Sequence, residues 1–523
     1  MASPNLSHVD IKVQNRSAFD KSFKNILTTK VGTITPLVSK LLIPGTKGHM
    51  KLAISASLPP LASDTFMRAS LKVEAFMVPL RLLYGGYESY LTGSEISSSG
   101  TMKRATLPRL IYRTAQSAKV APGTLADYLG FCSAQAEDSM YINILPFLAY
   151  WRCISDWYQN RKIEKELFYP YSNDTGNTDD PTALRFLPYS AFTTTHNYSF
   201  ASPISSSYVI SDLAQRNWDD DYFTIATPSP QFGNAQKVTI DSNSQFTISA
   251  LRAANSMQQF EERNNLASPR MADYVAANYG AKLSNGVAQR AVLLGSASYD
   301  VYSKGVTAAA DSTPTNNPFG SVGARYGNAF ASGTDFVCEF EANEPAYLMV
   351  MCTLVPEANY CTGIRHDLRL FTESGSQTDL PNPMLQNVGN EPIYKSEVLD
   401  GSTTPSIFTD GIFGYVQRYL WHKTSRNEVH GLLRLGQSLA PFVAQRAFTI
   451  DAEISSNFLK IPTNALDNVT AVTGDLSAYG CWVDSYVDLK ISEPLAESSL
   501  PSLQDPAYEH GHDVRLKING NSL

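Results

Sequence analysis

Alternation of apolar and polar residues near both ends of the chain restricts its fold more than any other feature of the sequence. Four segments alternate with a period of two: 51–58, 71–78, 336–340 and 483–489. This period indicates antiparallel strands that bury one face. In the third segment we expect Phe336, Cys338 and Phe340 to share the buried face. Residues 347–355 are nearly all apolar and predict a strand buried on both faces.

Three segments between these strands show the apolar spacing of helices. One helix is predicted from Ser268, a suitable N-cap, to Tyr279, with Gly280 as the left-handed residue that ends it. Residues 249–263 and 145–168 also carry apolar side chains at steps of three or four. We expect all three apolar stripes to lie in the protein core rather than in a ligand site.

The order of these segments favours one β-framework over tandem domains. The 523 residues are about three times the ~150 of a typical domain, but the strands at both ends enclose the helices and loops. We predict a mainly β fold, a single eight-stranded antiparallel jelly-roll β-sandwich with long loop insertions containing helices. Periodicity alone does not distinguish it from another sandwich.

A shortage of charge limits the function classes. Charged residues make up 17% of the chain, against about 25% in ordinary soluble proteins. Much of the surface is therefore predicted to be covered by another molecule. The apolar content of 43% is ample for a core and excludes a disordered chain. No apolar stretch approaches the ~20 residues of a membrane helix, so we expect no membrane insertion.

The cysteine pattern predicts a reducing compartment. The six cysteines have no paired spacing, which favours reduced thiols over disulfides or a zinc site. The first residues contain no basic region followed by an apolar run, so no secretory signal is evident.

The first thirty residues carry a local positive charge, although the net charge of the chain is −7. Their cations are Lys12, Arg16, Lys21, Lys24 and Lys30. Two interpretations stay open, a solvated arm and an arm that faces a polyanion.

A search for catalytic and metal-binding motifs yields no convincing site. The nucleophile-elbow, dinucleotide-binding and phosphate-loop patterns are absent. The acidic run 219–221 and the pair His510 and His512 are more typical of solvated segments than of metal sites. We expect no enzyme activity, no metal and no cofactor.

One long and unusual string covers residues 221–233, Asp-Tyr-Phe-Thr-x-Ala-x-Pro-x-Pro-Gln-x-Gly. Together with segments 16–22, 76–81, 123–130, 145–158 and 413–419, in that chain order, it resembles the major capsid proteins of the Microviridae, specifically the gokushovirus branch. The residues that match the motifs of this family are Arg16, Phe19, Asp20, Pro79, Arg81, Asp127, Tyr128, Asp221, Tyr222, Phe223, Pro230, Gln231, Gly233, Gly414, Tyr415 and Arg418. The short segment 234–249 makes the family's large threefold protrusion doubtful here.

The resemblance implies a structural protein without enzyme activity. Such a subunit self-assembles into a T=1 icosahedral shell around the circular single-stranded DNA of a small bacteriophage. The implied partners are further copies of the chain, the viral DNA, a small basic DNA-binding protein, a pilot protein and a host surface receptor. The implied location is the virion, with assembly in the cytoplasm of the host bacterium.

The resemblance also divides the chain. Residues 1–30 are predicted to form a basic arm that faces the interior, where Lys12, Arg16, Lys21, Lys24 and Lys30 contact DNA and aromatic rings stack on unpaired bases. Residues 31–491 are predicted to form a single jelly-roll capsid domain, with inserted loops and helices mainly within 81–330. Residues 492–523 are predicted to form a C-terminal tail.

A carbohydrate-binding or glycan-processing β-sandwich is the alternative function. Aromatic residues and loops rich in Asp and Asn would suit such a protein as well. A glycan-processing enzyme needs two acidic residues in one cleft, and the sequence indicates no such pair.

Overall fold

The structure, a computed structural model, describes most of the chain between residues 16 and 495. The described range has these gaps: 64, 85–86, 93–94, 97–101, 104–106, 132–137, 162, 165–166, 168–196, 203, 205–207, 231–247, 267–269, 285–288, 308–324, 370–379, 387–388, 399–410, 449–452 and 472–479.

The described residues are mainly in antiparallel strands. The strands are β1 (Ser17–Asp20), β2 (Phe23–Thr29), β3 (Thr35–Leu42), β4 (Thr46–Ser57), β5 (Ala69–Pro79), β6 (Glu95–Ile96), β7 (Met102–Lys103), β8 (Arg109–Ile111), β9 (Tyr141–Asn143), β10 (Asn197–Ser199), β11 (Val292–Asp300), β12 (Tyr302–Thr307), β13 (Arg325–Ala342), β14 (Ala346–Pro356), β15 (Asn390–Tyr394), β16 (Ile412–Gln417) and β17 (Cys481–Glu493).

Short helices connect these strands. The α-helices are α1 (Tyr87–Thr92), α2 (Leu125–Tyr128), α3 (Leu145–Cys153), α4 (Ile248–Leu266), α5 (Met271–Tyr279), α6 (Leu420–Lys423) and α7 (Ser456–Leu459). A π-helical turn, Ile154–Tyr158, continues α3. Single 3₁₀ turns lie at Leu80–Leu82, Thr114–Val120, His366–Arg369, Pro383–Leu385, Lys395–Glu397, Gly431–Leu433 and Ala440–Phe442.

Two sheets enclose the main core. In sheet 1, β1 and β2 both pair with β17, and the order continues through β4, β13 and β12. In sheet 2, the order is β11, β5, β14 and β3. One hydrophobic cluster takes Leu52 and Val487 from sheet 1 and Val73 and Val350 from sheet 2. The two sheets therefore pack face to face, as in a β-sandwich.

The alternation in the sequence predicted these strands correctly. In β4 and β17, buried side chains alternate with exposed or half-buried ones along most of the strand. Every residue of β14 is buried, because one of its faces lies on the main core and the other lies under the helical insertions. Strands of this kind lose the alternation and become continuous apolar runs.

The prediction for Phe336 was wrong. Cys338 and Phe340 are buried, but the Phe336 side chain is 55% exposed. The register between β13 and β4 shifts between Phe336 and Cys338, which marks a β-bulge. A bulge inserts one extra residue, so the side chains before it change faces.

The helix at 271–279 ends as predicted. Gly280 is left-handed at φ +67° and its N–H bonds to the carbonyl of Ala276. The helix begins after Arg270, which has extended backbone angles, rather than after Ser268. Residues 145–168 form a shorter helix than predicted, but Trp151 and Ile154 of its stripe are fully buried.

The core assignment of the other two stripes was wrong. In α4, Leu251, Met257 and Phe260 are 52%, 51% and 46% exposed, and in α5, Met271 and Tyr279 are 66% and 74% exposed. The periodicity of a helix shows which side is apolar but not whether its own chain covers that side.

A second core joins the insertions to sheet 2. It contains Phe147, Tyr150 and Trp151 of α3 and lies against Phe76 of β5 and Met349 of β14. The Tyr150 hydroxyl donates to the carbonyl of Ile34 at 2.8 Å, and burial raises its pKa well above the ordinary value. The insertions are therefore packed onto the sandwich.

Part of the segment predicted as an N-terminal arm belongs to sheet 1. Residues 17–20 and 23–29 are the paired strands β1 and β2. Leu27 is buried in the main core and Phe19 packs against it, so burial of apolar side chains holds this segment in the sheet. Lys12 lies outside the described residues.

Candidate functional site

The solvent-facing side of sheet 1 carries an unusual number of exposed aromatic rings, and we call this surface the aromatic face. It comprises Tyr302, Phe330, Phe336, Trp482 and Tyr486, whose side chains are 42–60% exposed. Burial of an aromatic side chain is favourable, so a cluster of exposed rings on one sheet face indicates a surface that another molecule covers.

Strand register builds the aromatic face. Tyr302 of β12 pairs with Phe330 of β13, Phe330 pairs with Ser57 of β4, and Ser57 pairs with Trp482 of β17. Because neighbouring strands lie about 4.8 Å apart, these side chains form one row across the sheet. Small Ser57 leaves a gap between Phe330 and Trp482, open to a flat group.

A shallow depression of about 520 Å³ lies next to this row. Its floor consists of small residues from β4 and β13, and Lys24, Asp484 and Tyr486 form part of its wall. Gly333 lies in this floor. The position requires glycine, because a Cβ there would lie 2.6 Å from a ring carbon of the buried Tyr299. The depression therefore combines flat backbone, one aromatic ring and a pair of opposite charges.

The predicted basic residues are largely matched by acids or backbone carbonyls. Lys24 Nζ lies 2.9 Å from Asp484 Oδ2, with both side chains about half exposed. Lys21 Nζ lies 3.0 Å from the buried Glu493 carboxylate. The Arg16 guanidinium donates to the carbonyls of Gly45 and, at 3.4 Å, Ser492. Arg16, just before β1, and Lys21, between β1 and β2, join this segment to the end of β17, and Lys24 joins β2 to the start of β17.

Of the predicted basic residues, Lys24 lies at the depression. Lys30 follows β2 and is half-buried. Elsewhere on the same side of sheet 1, Lys47 Nζ lies 2.9 Å from Glu341 Oε1. Of the five predicted cations, Arg16, Lys21 and Lys24 are matched in this way within the described residues, so these three do not form an unpaired positive patch.

The aromatic face was not predicted from the sequence. A signal was present in β17, where Trp482 and Tyr486 occupy the same side of the strand as Asp484 and Asp488. An aromatic residue on the polar side of an alternating strand points to solvent.

The described part of the strongest sequence motif, residues 221–230, contributes several buried side chains to one cluster. Asp221 Oδ1 accepts the backbone N–H groups of Phe223 at 2.9 Å and Thr224 at 2.8 Å. Its other oxygen accepts the Tyr360 hydroxyl, which in turn accepts from the buried guanidinium of Arg446 at 2.9 Å. Burial raises the pKa of Tyr360 further than the nearby Arg446 lowers it.

Two distant motifs meet in this cluster. Thr227 and Tyr415 exchange backbone hydrogen bonds at 2.9 and 2.8 Å, and Phe223 packs edge-on against Phe413. A Cβ on Gly414 would overlap Ile454 and lie 3.1 Å from the carbonyl oxygen of Thr227. The motif glycine is thus explained by close packing of two chain segments.

Other motif residues also have structural contacts. Asp127 accepts the N–H of Gly123 at 2.9 Å, Asp20 accepts the N–H of Ser22 at 3.0 Å, and Arg81, after Pro79 at the end of β5, pairs with Glu344 at 2.7 Å. Tyr222 donates to Glu397 at 3.3 Å. Further contacts involve Pro230, which accepts from Asn390, and Arg418, whose guanidinium stacks on Tyr419. Gln231 and Gly233 lie outside the described residues.

A buried histidine lies between two carboxylates beside this cluster. His366 Nε2 is 2.9 Å from Glu391 Oε1, and its Nδ1 is 3.0 Å from Glu397 Oε1. Burial lowers the pKa of His366, but hydrogen bonds and the charges of both glutamates outweigh it and raise the pKa to about 9. The second oxygen of Glu391 accepts the N–H of Tyr419, which has a left-handed φ of +63°. The protonated ring therefore cross-links β15, a 3₁₀ turn and the segment before α6.

The contacts described above are hydrogen bonds, ion pairs and packed side chains. Within the described part of the chain, no group of three or more His, Cys, Asp or Glu side chains is arranged to hold a metal ion. None of its helices combines the length and hydropathy needed to cross a bilayer. His510 and His512 lie outside the described residues.

Comparison with known proteins identifies the family. The family model for the capsid protein, or F protein, matches residues 7–246 and 240–503. The chain belongs to this capsid protein family. This agrees with the order of motifs in the sequence and with a fold of antiparallel sheets bearing exposed apolar surfaces.

Individual members of the family match over nearly their whole length. The chain is 22% identical to capsid protein VP1 of Spiroplasma virus 4, over 94% of this chain and 95% of the relative. It is 22% identical to capsid protein VP1 of Chlamydia phage 1, over 95% and 97%. Capsid protein VP1 of Bdellovibrio phage phiMH2K is 22% identical over 86% and 88%.

Proposed function

We propose that this chain is the major capsid protein of a small bacteriophage and that its copies assemble into a T=1 icosahedral shell around circular single-stranded DNA. The observation that carries the proposal is the match to the capsid protein family across nearly the whole chain. The virion is then its location, after assembly in the cytoplasm of a bacterial host. The role is structural, without catalysis, which leaves the glycan-binding alternative unsupported.

The proposed architecture of the subunit is an eight-stranded jelly roll. The first four strands of the proposed jelly roll alternate between the sheets, since β2 and β4 lie in sheet 1 whereas β3 and β5 lie in sheet 2. Its next strand, β11, lies beside β5 in sheet 2, and β13, β14 and β17 alternate again. The remaining four strands of the proposed jelly roll are β11 and β14 in sheet 2 and β13 and β17 in sheet 1. This alternation is expected for a jelly roll, and β1 and β12 would be additions at the edges of sheet 1.

The aromatic face is the proposed contact with the genome. Single-stranded nucleic acid is bound through aromatic rings that stack on bases and through cations that follow the backbone. The face offers Trp482, Phe330 and Tyr302 in one row, with Lys24 beside them. In this arrangement sheet 1 and the basic residues 1–30 face the shell interior. Because acids lie beside Lys21, Lys24 and Lys47, a small basic viral protein would supply most of the phosphate neutralisation. The other proposed partners are a pilot protein and a host receptor.

The test has two parts. Electron microscopy of the expressed full-length chain should show uniform closed shells, and a chain that stays a monomer or small oligomer would overturn the capsid proposal. The double variant W482A/F330A should then form shells that retain less single-stranded DNA. Ile26→Ala is the matched control, because Ile26 is 70% exposed on the same strand side as Lys24 but has no ring. Equal DNA content in shells of the double variant and the control would refute the genome contact.

A further inference from the structure

Helices α4 and α5 follow each other and are in contact, and we call this pair the hairpin. The rest of the described chain does not cover its exposed apolar side chains. No residue of α5 is buried, and no described residue of α4 is buried. Arg270, between the two helices, connects the hairpin to the body by donating to the carbonyls of Ser155 at 3.0 Å and Gln159 at 3.1 Å. Apolar side chains of both helices are thus left exposed.

Three exposed residues of α4 share one side of the helix, whereas Ile248 and Leu251, also exposed, lie toward the opposite side. With 3.6 residues per turn, Ala253, Met257 and Phe260 fall within an arc of roughly 60°. All three are exposed, Met257 by 51% and Phe260 by 46%. Ala254 and Gln258, the partly buried residues of α4, lie on a different side. We call the side formed by Ala253, Met257 and Phe260 the α4 face.

The α4 face is complementary to itself. If a second α4 lies antiparallel on it, with a twofold axis between residues 256 and 257, Phe260 of each copy meets Ala253 of the other. A large side chain then faces a small one twice, and the two Met257 side chains meet near the axis. Close packing of this kind is what a symmetric contact between identical surfaces requires.

We propose that α4 packs antiparallel against α4 of a second copy of this chain through Ala253, Met257 and Phe260. The inference rests on the proposed capsid function, which requires contacts between copies, and adds the surface that makes one of them. A helix of 19 residues is about 28 Å long, so its face is much smaller than the ~800 Å² per partner of a stable complex. The contact therefore forms within the shell, where other contacts support it, and not between free subunits.

Disulfide cross-linking of assembled shells tests the pairing. In the double variant A253C/F260C, the two cysteines of one helix are about 10.5 Å apart and cannot bridge each other, but each lies within bridging distance of its counterpart in an antiparallel second copy. The described natural cysteines, Cys153, Cys338, Cys352, Cys361 and Cys481, are buried. Met257→Cys is a second variant that keeps Phe260 and bridges near the axis.

Gln259→Cys is the matched control, since residue 259 is exposed on another side of α4. Mild oxidation of shells should give at least about tenfold more covalent dimer for A253C/F260C and for M257C than for Q259C. Shells that form normally but give no excess dimer in either variant would overturn the inference and leave the capsid function intact. A cross-link to a different protein would overturn it as well. Absence of shells from the unmodified chain would instead refute the proposed function.

Discussion

The Tyr128 hydroxyl in α2 donates a hydrogen bond to the carbonyl oxygen of Thr28 in β2, at 2.6 Å. The two residues are 100 positions apart, and the bond ties the helical insertion to the first strands of sheet 1. Tyr128→Phe removes the donor and leaves the carbonyl unpaired, at a cost of about 1 kcal/mol in the free energy of unfolding. Urea unfolding of the unassembled chain measures this. Tyr141→Phe, at a ring that is 55% exposed, should have almost no effect; equal effects would show that the bond contributes nothing.

The buried His366 should make stability depend on alkaline pH. Its pKa is about 9 in the folded chain and about 6.5 in the unfolded chain, so the folded state holds the proton more tightly. The resulting stabilisation is full below pH 6.5 and is lost as pH rises through about 9. Its size is on the order of 3 kcal/mol.

Unfolding free energies at pH 6 and pH 9.5 test this dependence. His366→Gln should be less stable than the natural chain at pH 6 and should lose most of the difference at pH 9.5. His422→Gln, at an exposed position, controls for the loss of a histidine. A His366→Gln variant whose deficit is the same at both pH values would contradict the assigned charge of the ring.

Alanine substitutions at two glycines with the same φ distinguish the cost of a left-handed backbone from the cost of steric overlap. Gly363 and Gly436 both have φ +83°, but a Cβ on Gly363 would overlap the backbone of Glu397, whereas nothing lies within 4 Å of one on Gly436. Gly436→Ala should cost about 1 kcal/mol from the left-handed conformation alone. Gly363→Ala should cost at least about 2 kcal/mol more, because backbone must move. Thermal unfolding of both variants gives the comparison, and equal losses would show that the chain relaxes freely at Gly363.

DNA binding to the aromatic face should depend only weakly on salt. Lys24 and Lys47 each lie beside an acid, so few phosphates gain a cation on binding. With about 0.7 counterions released per phosphate contact on single strands, we expect a log–log salt slope of magnitude below about 2. Quenching of Trp482 fluorescence by oligonucleotides measures it, with Trp482→Phe as the control for the other tryptophans. A slope several times steeper would indicate that phosphate contacts dominate.

The buried cysteines should resist thiol reagents until the chain unfolds. Burial raises the pKa of Cys338 and of Cys352 to about 12, and Cys153 and Cys481 shift in the same direction. Since the thiolate is the reactive form, labelling at pH 8 should be slow in the folded chain and fast in urea. Mass spectrometry of labelled peptides assigns each site. Rapid labelling of Cys352 in the folded chain would contradict the packing of β14.

The sequence predicted the features that depend on local pattern. Alternation identified β4, β5 and β17, and Gly280 identified the end of α5, because each signal lies within a few residues. Phe336 was misassigned since a bulge is set by the register with β4, a contact between distant segments. Likewise, the pairing of Thr227 with Tyr415 and the carboxylates around His366 come from tertiary packing that no local pattern encodes.

The two surfaces proposed to bind other molecules could not be recognised from the sequence for a different reason. The stripe of α4 that contains Met257 and Phe260 was predicted to be core because an apolar stripe looks the same whether its own chain or another molecule covers it. The aromatic face was missed because its rings are contributed by β12, β13 and β17, which are far apart in sequence. The described motif residues make contacts within the fold, so the strongest sequence signals did not mark the surfaces proposed to act.

The position of β17 has a consequence for the timing of synthesis. Among the described residues β17 is the last strand and lies between β4 and the first strands β1 and β2, so sheet 1 cannot close until residues 481–493 have left the ribosome. At 5–20 residues per second, the wait between β4 and β17 is roughly 20 to 85 s. Until then, a nascent chain has no finished sheet 1 to offer to its neighbours.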